Sequence, residues 1–433
     1  MNEFQELGAM IERHWRDQDY SEVSFPEIAA SLLDESKLSQ RINAWDIIRW
    51  LYNAEGLPEQ QDAEGRFGDP PITLFNGSRF YIDIYYWLDG TTSIHQHSFS
   101  GAFQVLLGSS IHSRYQFREK KIINEHFSVG RLELQDVQLL QQHDIRQIVP
   151  GKNFIHSLFH LERPSATITI RTRHTPSAAL QYDYRNPYFA IDPFFRNQLT
   201  SKRIQTVNLL LAMKHPESDN FIGNLIAHSD FHTTYLILAE TFRHLADNPL
   251  EEFFGVSSGR DRFNAILQKA RVRHGELSDL ILPVLEEEQR KNYIVGRRQL
   301  LTGEEHRFFL ALLLNIPNRT KILELVSQRF REKDPVDTIL DWLEELSHER
   351  VLDSREASVL GIDGFDDAHL LAMEYLLRDI SVEEAVESPD QLKMIENLGS
   401  SPERIRAITS ELERSILLKP LFQDESAAQQ NPH

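Results

Sequence analysis

The hydrophobic pattern divides the chain into a helical beginning, a strand-rich middle and a helical end. In residues 1–60, apolar side chains recur every three or four positions, which is the spacing of one helical face. Over residues 72–172 the pattern changes to strict alternation and short apolar runs that are bounded by turn residues, which is typical of β-strands. Helical spacing returns at about residue 198.

The middle segment predicts about eight short strands. They cover residues 72–75, 80–87, 103–107, 113–117, 126–134, 144–149, 154–160 and 166–172. Because this number of short strands suits a small closed or double-layered sheet, the pattern favours a β-barrel of the jelly-roll type. The predicted fold class is therefore α+β, with helices on both sides of a β-barrel in sequence.

Four regions follow from this pattern. We expect N-terminal helices that pack on the barrel (1–60), a barrel domain (61–196), an all-helical C-terminal domain (197–420) and a disordered tail (421–433).

Part of the helical domain resembles a winged helix. Its predicted helices cover 304–314, 320–330 and 335–346, and Val351-Leu352 would begin a wing. The third helix carries few basic residues, so contact with a protein partner is expected rather than DNA reading.

Composition excludes several classes of function. The 433 residues carry a net charge of −19, which argues against general binding to nucleic acid or to an anionic membrane. There is no Cys, so disulfides, zinc–thiolate sites and iron–sulfur clusters are excluded. No apolar run reaches the roughly 18 residues of a membrane span, and the charged N-terminus has no signal-peptide pattern, so we expect a cytoplasmic protein.

The first candidate chemistry is the pair His95 and His97, which follows the strand at 80–87 and a turn at Asp89-Gly90. Alternate residues of a strand point to the same face, so the two imidazoles would lie side by side. Such a pair can begin a metal site. The structural alternative is a pair that is solvated or hydrogen-bonded within the core, since neutral imidazole readily finds partners.

A second motif lies at 148–161, where the turn Pro150-Gly151 precedes an apolar run that carries His156. With the first motif, residues 75–175 resemble the cupins, and most closely the thiol dioxygenases of the cysteine dioxygenase branch. The resemblance implies a cupin-type barrel and an Fe(II) ion held by His95, His97 and His156, and another divalent transition metal is the alternative. His160 faces the same way about 13 Å further along the strand, and it is the alternative third ligand.

The residues after the first motif agree with a three-histidine site. Ordinary cupins carry a Glu ligand four or five residues after the HxH pair, whereas Gly101 and Ala102 stand here. In the resembled branch, the metal binds substrate and O2 together.

The strand at 166–172 departs from the resembled family. Thr167, Thr169 and Arg171 stand where that family carries its Ser, His and Tyr, and the crosslinking Cys is absent. The family's carboxylate-binding Arg is also missing, because Arg66 and Arg79 lie out of step with its position. Arg171, with Thr169 beside it, is therefore our candidate for holding an anionic group of the substrate. The alternative is an Arg on a solvent-facing strand.

The remaining histidines of this region are expected on surfaces or in loops. They are His112, His126, His143 and His174.

The resemblance to the thiol dioxygenases therefore implies a non-haem Fe(II)-dependent oxygenase that adds O2 to a small or peptide-borne substrate, and Arg171 favours an anionic one. One alternative is a different metal-dependent cupin enzyme, an isomerase or a hydrolase, because this fold hosts many chemistries. The other is a non-enzymatic metal or ligand sensor whose helical domain binds a protein partner.

Overall fold

The computed structural model describes residues 2–65, 67–88, 93–173, 180–245, 259–350 and 358–423. Five positions or segments of the sequence predictions lie outside these residues. They are Arg66, the turn at Asp89-Gly90, His174, the wing at Val351-Leu352 and residues 424–433 of the tail.

The protein is an α+β structure with a closed antiparallel β-barrel, N-terminal helices and a helical C-terminal region, as the pattern predicted. The strands are β1 (Pro71–Asn76), β2 (Phe80–Trp87), β3 (Ile94–His95), β4 (Gly101–Leu107), β5 (Ser110–Asn124), β6 (Phe127–Leu140), β7 (Ile145–Ile148), β8 (Ile155–His160), β9 (Ser165–Thr172), β10 (Asp183–Arg185) and β11 (Phe189–Ile191).

Helices occupy both ends of the chain. At the N-terminus they are α1 (Asn2–Arg16), α2 (Phe25–Glu35), α3 (Leu38–Arg41) and α4 (Ala44–Asn53). After the strands come α5 (Gln198–Ala212), α6 (Ser218–Ala227), α7 (Phe231–Leu245), α8 (Gly259–His274), α9 (Ile281–Leu300), α10 (Glu304–Asn315), α11 (Arg319–Arg329), α12 (Pro335–His348), α13 (Asp367–Leu377), α14 (Val382–Glu387), α15 (Pro389–Asn397) and α16 (Pro402–Glu413). None of the helices in the described ranges is both long and apolar enough to span a membrane.

The strands form two β layers. Five of them make an antiparallel sheet in the order β1-β2-β9-β4-β7, which we call the first sheet. The other six close into a ring in the order β10-β11-β6-β5-β8-β3. Aromatic and aliphatic side chains from both layers meet between them, including Phe103 of β4, Phe154 next to β8 and Leu158 of β8.

Each β layer is covered on its outside by helices. The helices α1, α2 and α4 bury their apolar stripes against Ile82, Ile84 and Ile170 of the first sheet. The helices after β11 cover the outer face of the ring in two clusters, one around Phe127 and Phe189 and one around residues such as Phe159. The outer face of each layer is therefore apolar and packs against helices.

A set of arginines fastens the C-terminal helices to the end of β8. Arg298 of α9 donates from Nη2 to the carbonyl oxygens of His160 and Leu161, at 3.2 and 2.7 Å. Two residues after the end of β8, Glu162 pairs with Arg329 of α11 at 3.1 Å. Arg298 is buried, and a buried guanidinium needs such acceptors to offset its lost hydration. We call these contacts the arginine clasp.

The first sheet requires a glycine at position 101. Gly101 is paired with Arg171 of β9 and with Ile148 of β7. A Cβ atom at this position would lie 1.9 Å from the carbonyl oxygen of Ile170, which is far inside van der Waals contact. No side chain fits here without separation of the two strands.

We expect Gly101→Ala to lower the free energy of unfolding by about 2–3 kcal/mol or more, because the methyl group overlaps backbone rather than a side chain that can move. Urea denaturation would measure this loss. Gly56→Ala is the matched control, since nothing lies within 4 Å of the Cβ position there, and it should stay within about 0.5 kcal/mol of wild type. Equal stability of the two variants would contradict the close approach.

His160 is a buried neutral histidine between the layers. Its ring stacks on Trp87 with centroids 4.6 Å apart, and Nδ1 lies 3.2 Å from the hydroxyl of Ser110. Burial, together with the charge of Arg298, lowers the pKa of His160 to about 3.

The low pKa of His160 predicts how stability depends on pH. The unfolded chain takes up the proton near pH 6.5, well before the folded chain does, so the contribution of neutral His160 is complete above that pH and decreases as pH falls. Between pH 7 and 5, wild type should lose roughly 2 kcal/mol more stability than His160→Phe. Denaturation at both pH values measures the difference, and parallel losses would contradict it.

Candidate metal centre

Three histidines meet in the layer between the first sheet and the ring. His95 on β3 is directly paired with His156 on β8, and His97 follows β3 by two residues. One ring nitrogen from each of the three lies within 4.8 Å of the other two. His160, the alternative third ligand, is not part of this group.

The spacing of these nitrogens fits a metal ion. Nε2 of His97 and Nε2 of His156 are 2.8 Å apart. Two imidazole nitrogens that bind one ion at 2.0–2.1 Å and at about a right angle lie roughly 3 Å apart. Because three imidazoles suit iron, zinc, copper or nickel alike, this group could hold a transition-metal ion, and the donor set does not select one.

Hydrogen bonding fixes the orientation of His95. Its Nδ1 lies 2.7 Å from the carbonyl oxygen of Ser93, and a carbonyl can only accept. The proton of His95 is therefore on Nδ1, which leaves the lone pair of Nε2 free for a metal ion. Such a second partner is the usual arrangement for a histidine ligand.

Burial keeps the three imidazoles neutral. His95, His97 and His156 are only 7, 8 and 3 % exposed. This burial lowers the pKa of His95 and lowers the pKa values of His97 and His156 well below the ordinary range. Neutral imidazole is the form that binds metal, so the pocket holds its donors ready at neutral pH.

A fourth histidine, His112, belongs to the same cluster, and the prediction that it lies on the surface or in a loop was wrong. It is on β5, is 1 % exposed, and its Nε2 is 3.0 Å from Nδ1 of His156. Burial lowers the pKa of His112 to about 3. The predicted strand began at residue 113, whereas β5 begins at Ser110, so His112 was placed before the strand. His126 and His143 do lie in turns.

The structure places Arg171 beside this cluster. Its guanidinium carbon lies 3.6 Å from the ring centroid of Phe99, and its charge contributes to the lowered pKa of His97 after burial and His95. Nε of Arg171 is buried without a hydrogen-bond partner among the described residues. Arg171 is thus partly buried between the layers.

Thr169 lies further along the same face of β9. It is buried between Asp83 of β2 and Phe103 of β4, its direct neighbours in the sheet. Its position is next to the candidate site, whereas the three histidines themselves come from the other β layer.

Two carboxyl groups near the site were not foreseen. Asp183 of β10 is directly opposite His95 and so points to the same side of the ring. Asp83 of β2 accepts a hydrogen bond from the hydroxyl of Tyr85 at 2.7 Å, and its Oδ1 has no described partner. Burial raises the pKa of both carboxyl groups. Asp183 follows a segment without strand periodicity, and Asp83 lies in a run that is almost entirely aromatic and aliphatic, so neither stood out.

Neither carboxyl group joins the three histidines. Among the described residues, the candidate metal-binding group consists of His95, His97 and His156 alone. The position where ordinary cupins carry Glu is closed, because Gly101 cannot accommodate a side chain and Ala102 packs towards the N-terminal helices. The geometry thus agrees with three neutral donors.

Comparison with known proteins adds little to this geometry. No protein-family model matches the chain, and a search of curated proteins found no match. Solved structures that are similar include the DMSP lyase DddQ from Ruegeria pomeroyi DSS-3, at 13 % identity and a TM-score of 0.19 over 29 % of this chain and 56 % of the lyase.

Two further structures show similarity of the same order. Hydroquinone 1,2-dioxygenase from Sphingomonas sp. TTNP3 has 8 % identity and a TM-score of 0.20, over 27 % of this chain and 72 % of the dioxygenase. A structure reported with the DMSP lyases RdDddP and RnDddQII has 14 % identity and a TM-score of 0.19, over 39 % of this chain and 93 % of the other. Similarity this low carries no conclusion about activity, substrate or metal.

Proposed function

We propose that this protein is a non-haem Fe(II)-dependent dioxygenase of the thiol dioxygenase type, acting on a small or peptide-borne substrate with an anionic group. The observation that carries the proposal is the convergence of three buried neutral imidazoles, without a carboxylate in their group, beside Arg171, whose Nε is buried without a hydrogen-bond partner among the described residues. Three neutral donors leave the full charge of a divalent ion to attract an anion.

The metal ion would supply open coordination positions at which substrate and O2 come together. Both oxygen atoms would enter the product, and the substrate would supply all four electrons that O2 accepts. The reaction therefore needs no separate reductant.

The protein's part is to position the reactants and exclude water. The ion would be held from one β layer by the Nε2 atoms of three histidines, His95, His97 and His156. Around them lie the rings of Phe99, Phe103 and Phe154, with centroids 4.4–6.3 Å from those of the histidines. An apolar wall of this kind lowers the local dielectric and strengthens each charge interaction within the pocket.

Arg171 would orient the substrate from the opposite layer. A guanidinium holds a carboxylate or phosphate in a two-point grip, which fixes direction as well as charge. Arg171 has no described ion pair that a ligand would have to break. Its planar group rests on the ring of Phe99, whose own ring centroid is 4.4 Å from that of His97. An anion bound to Arg171 would therefore lie on the side of the pocket where His97 stands.

The metal content of the purified protein tests the first part of the proposal. Protein prepared without air should carry close to one iron per chain, and His95→Ala with His97→Ala should remove it, since a single remaining imidazole binds too weakly. Elemental analysis measures both.

A matched control is the pair His126→Ala and His143→Ala, two histidines that lie in turns outside the cluster. This double variant should keep its metal. Metal content that is unchanged in the His95 and His97 double variant would rule out the three-histidine centre. Consumption of O2 by iron-loaded protein with a panel of thiol compounds and N-terminal cysteine peptides separates a dioxygenase from an isomerase, a hydrolase or a sensor.

Replacement of Arg171 tests the anion-binding role. Arg171→Lys keeps the charge and loses the two-point grip, so the affinity for substrate should fall about tenfold or more. Metal content should stay the same, because Arg is not a ligand. Titration of the metal-loaded protein with substrate measures the affinity.

Arg173→Lys is the matched control, since Arg173 lies directly after β9, two positions from Arg171, but is exposed and donates to the carbonyl oxygen of Gly77. Its affinity should equal that of wild type. If Arg171→Ala left both affinity and turnover intact, Arg171 would have no part in substrate binding.

A further inference from the structure

We propose that His112 is a positioning residue that selects the metal-binding form of His156. This inference rests on the proposed metal centre and assigns a task to a residue outside the three ligands. It concerns which nitrogen of His156 carries the proton.

The strand register brings the two rings together. In the pairing of β5 with β8, His156 is opposite Arg114 and His112 is opposite Leu158. His112 and His156 are therefore diagonal neighbours on one face of the pair, a distance that ring side chains can bridge. The bridge is made at 3.0 Å, between Nε2 of His112 and Nδ1 of His156.

A neutral imidazole has one N–H group and one lone pair, and this couples the two rings. His156 can offer Nε2 to a metal ion only if its proton is on Nδ1. Nε2 of His112 must then accept that proton's hydrogen bond, which places the proton of His112 on Nδ1. In the opposite arrangement His112 donates to His156, and Nε2 of His156 is protonated and cannot bind a metal.

The surroundings of His112 are mostly apolar, so its ring nitrogens have few possible hydrogen-bond partners. The ring is 1 % exposed and lies between Phe103 and Phe154, each with its centroid 5.9 Å away. Nδ1 has no hydrogen-bond partner among the described residues. Because a buried polar atom without a partner is unfavourable, an apolar ring would fill this space better. The described contact that makes use of the polarity of His112 is the one with His156.

His95 and His156 are thus held in different ways. The carbonyl oxygen of Ser93 can only accept, so His95 has a fixed proton position. His112 can accept or donate, so the proton position of His156 depends on a partner that has two forms. Metal binding would select the accepting form of His112, and loss of the acceptor would weaken the binding of metal.

Cobalt(II) binding to the full-length protein tests the proposal. His112→Phe removes the acceptor and keeps the ring volume, so the Kd for Co(II) should rise by about 10–100-fold, the usual effect of a lost partner of a histidine ligand. In His112→Gln the side-chain carbonyl can accept from Nδ1 of His156, so the Kd should stay within about threefold of wild type. Chelator competition and the visible Co(II) spectrum provide the measurements.

His160→Phe is the matched control, because it also replaces a buried histidine. His160 lies on the same face of β8 as His156, but it is not part of the three-histidine group. It should bind Co(II) as wild type does. A His112→Phe protein with the Kd and spectrum of wild type would overturn the inference, and so would a His112→Gln protein that loses as much affinity as His112→Phe. If wild type itself bound no Co(II) at the histidine cluster, the proposed function would fail with it.

A second measurement needs no variant and covers the case in which His112→Phe does not fold. In protein loaded with Zn(II), nitrogen-15 NMR of the imidazole rings reports which nitrogen is protonated. We expect the proton of His112 on Nδ1. A proton on Nε2 of His112 in the zinc-loaded protein would overturn the inference while leaving the metal centre in place.

Discussion

The candidate site depends on one pairing, that of His95 on β3 with His156 on β8. These histidines are 61 positions apart along the chain, and β3 has only two residues with which to hold its place. A shift of the pairing by one residue would turn His156 to the other face of the ring, because side chains alternate along a strand. The register is secured from elsewhere: β8 is paired with β5 over six residues, and the amide of Gly151 donates to the carbonyl oxygen of His97 at 2.8 Å.

The alternation of apolar and polar side chains along the strands explains why polar groups gather between the two β layers. In the first sheet the apolar residues of β2 and β9 point to the N-terminal helices, and Asp83, Thr169 and Arg171 point to the ring. The six-stranded ring has the same arrangement. His112 and His156 point inwards, and Phe159 points towards the C-terminal helices. The helices remove the apolar faces from water, so the layer between the sheets is free to carry polar groups.

The placement of polar side chains inside the molecule also limits what the sequence could predict. The predicted bounds of β2 and the predicted start of α12 agree with the structure, whereas the two longest strands, β5 and β6, continue to Asn124 and Leu140, beyond their predicted ends at residues 117 and 134. The strands β3, β10 and β11 have two or three residues each, which is too few for a period to show. His112 was expected on the surface or in a loop before its strand, whereas it lies within β5 on the side that faces the interior of the molecule.

The candidate site could also be predicted only where its residues form a local pattern in the sequence. The spacing of His95 and His97 and the turn before His156 were visible along the chain, because each is a local pattern. His112 and Asp183 are near the site only through strand pairing, and their neighbours in sequence carry no sign of it. The prediction for Arg171 could be made because strict alternation over 166–172 states which residues share a face.

The arginine clasp has a consequence for the barrel as a separate object. Arg298 occupies the last carbonyl groups of β8, the strand that also carries His156, and the helices around it cover Ile111, Val137 and Phe159. A fragment that ended near residue 196 would uncover this apolar surface and release one end of that strand. The C-terminal region is thus part of the scaffold of the histidine cluster, because its helices hold β8, which carries His156, and also cover the neighbouring strands β5 and β6.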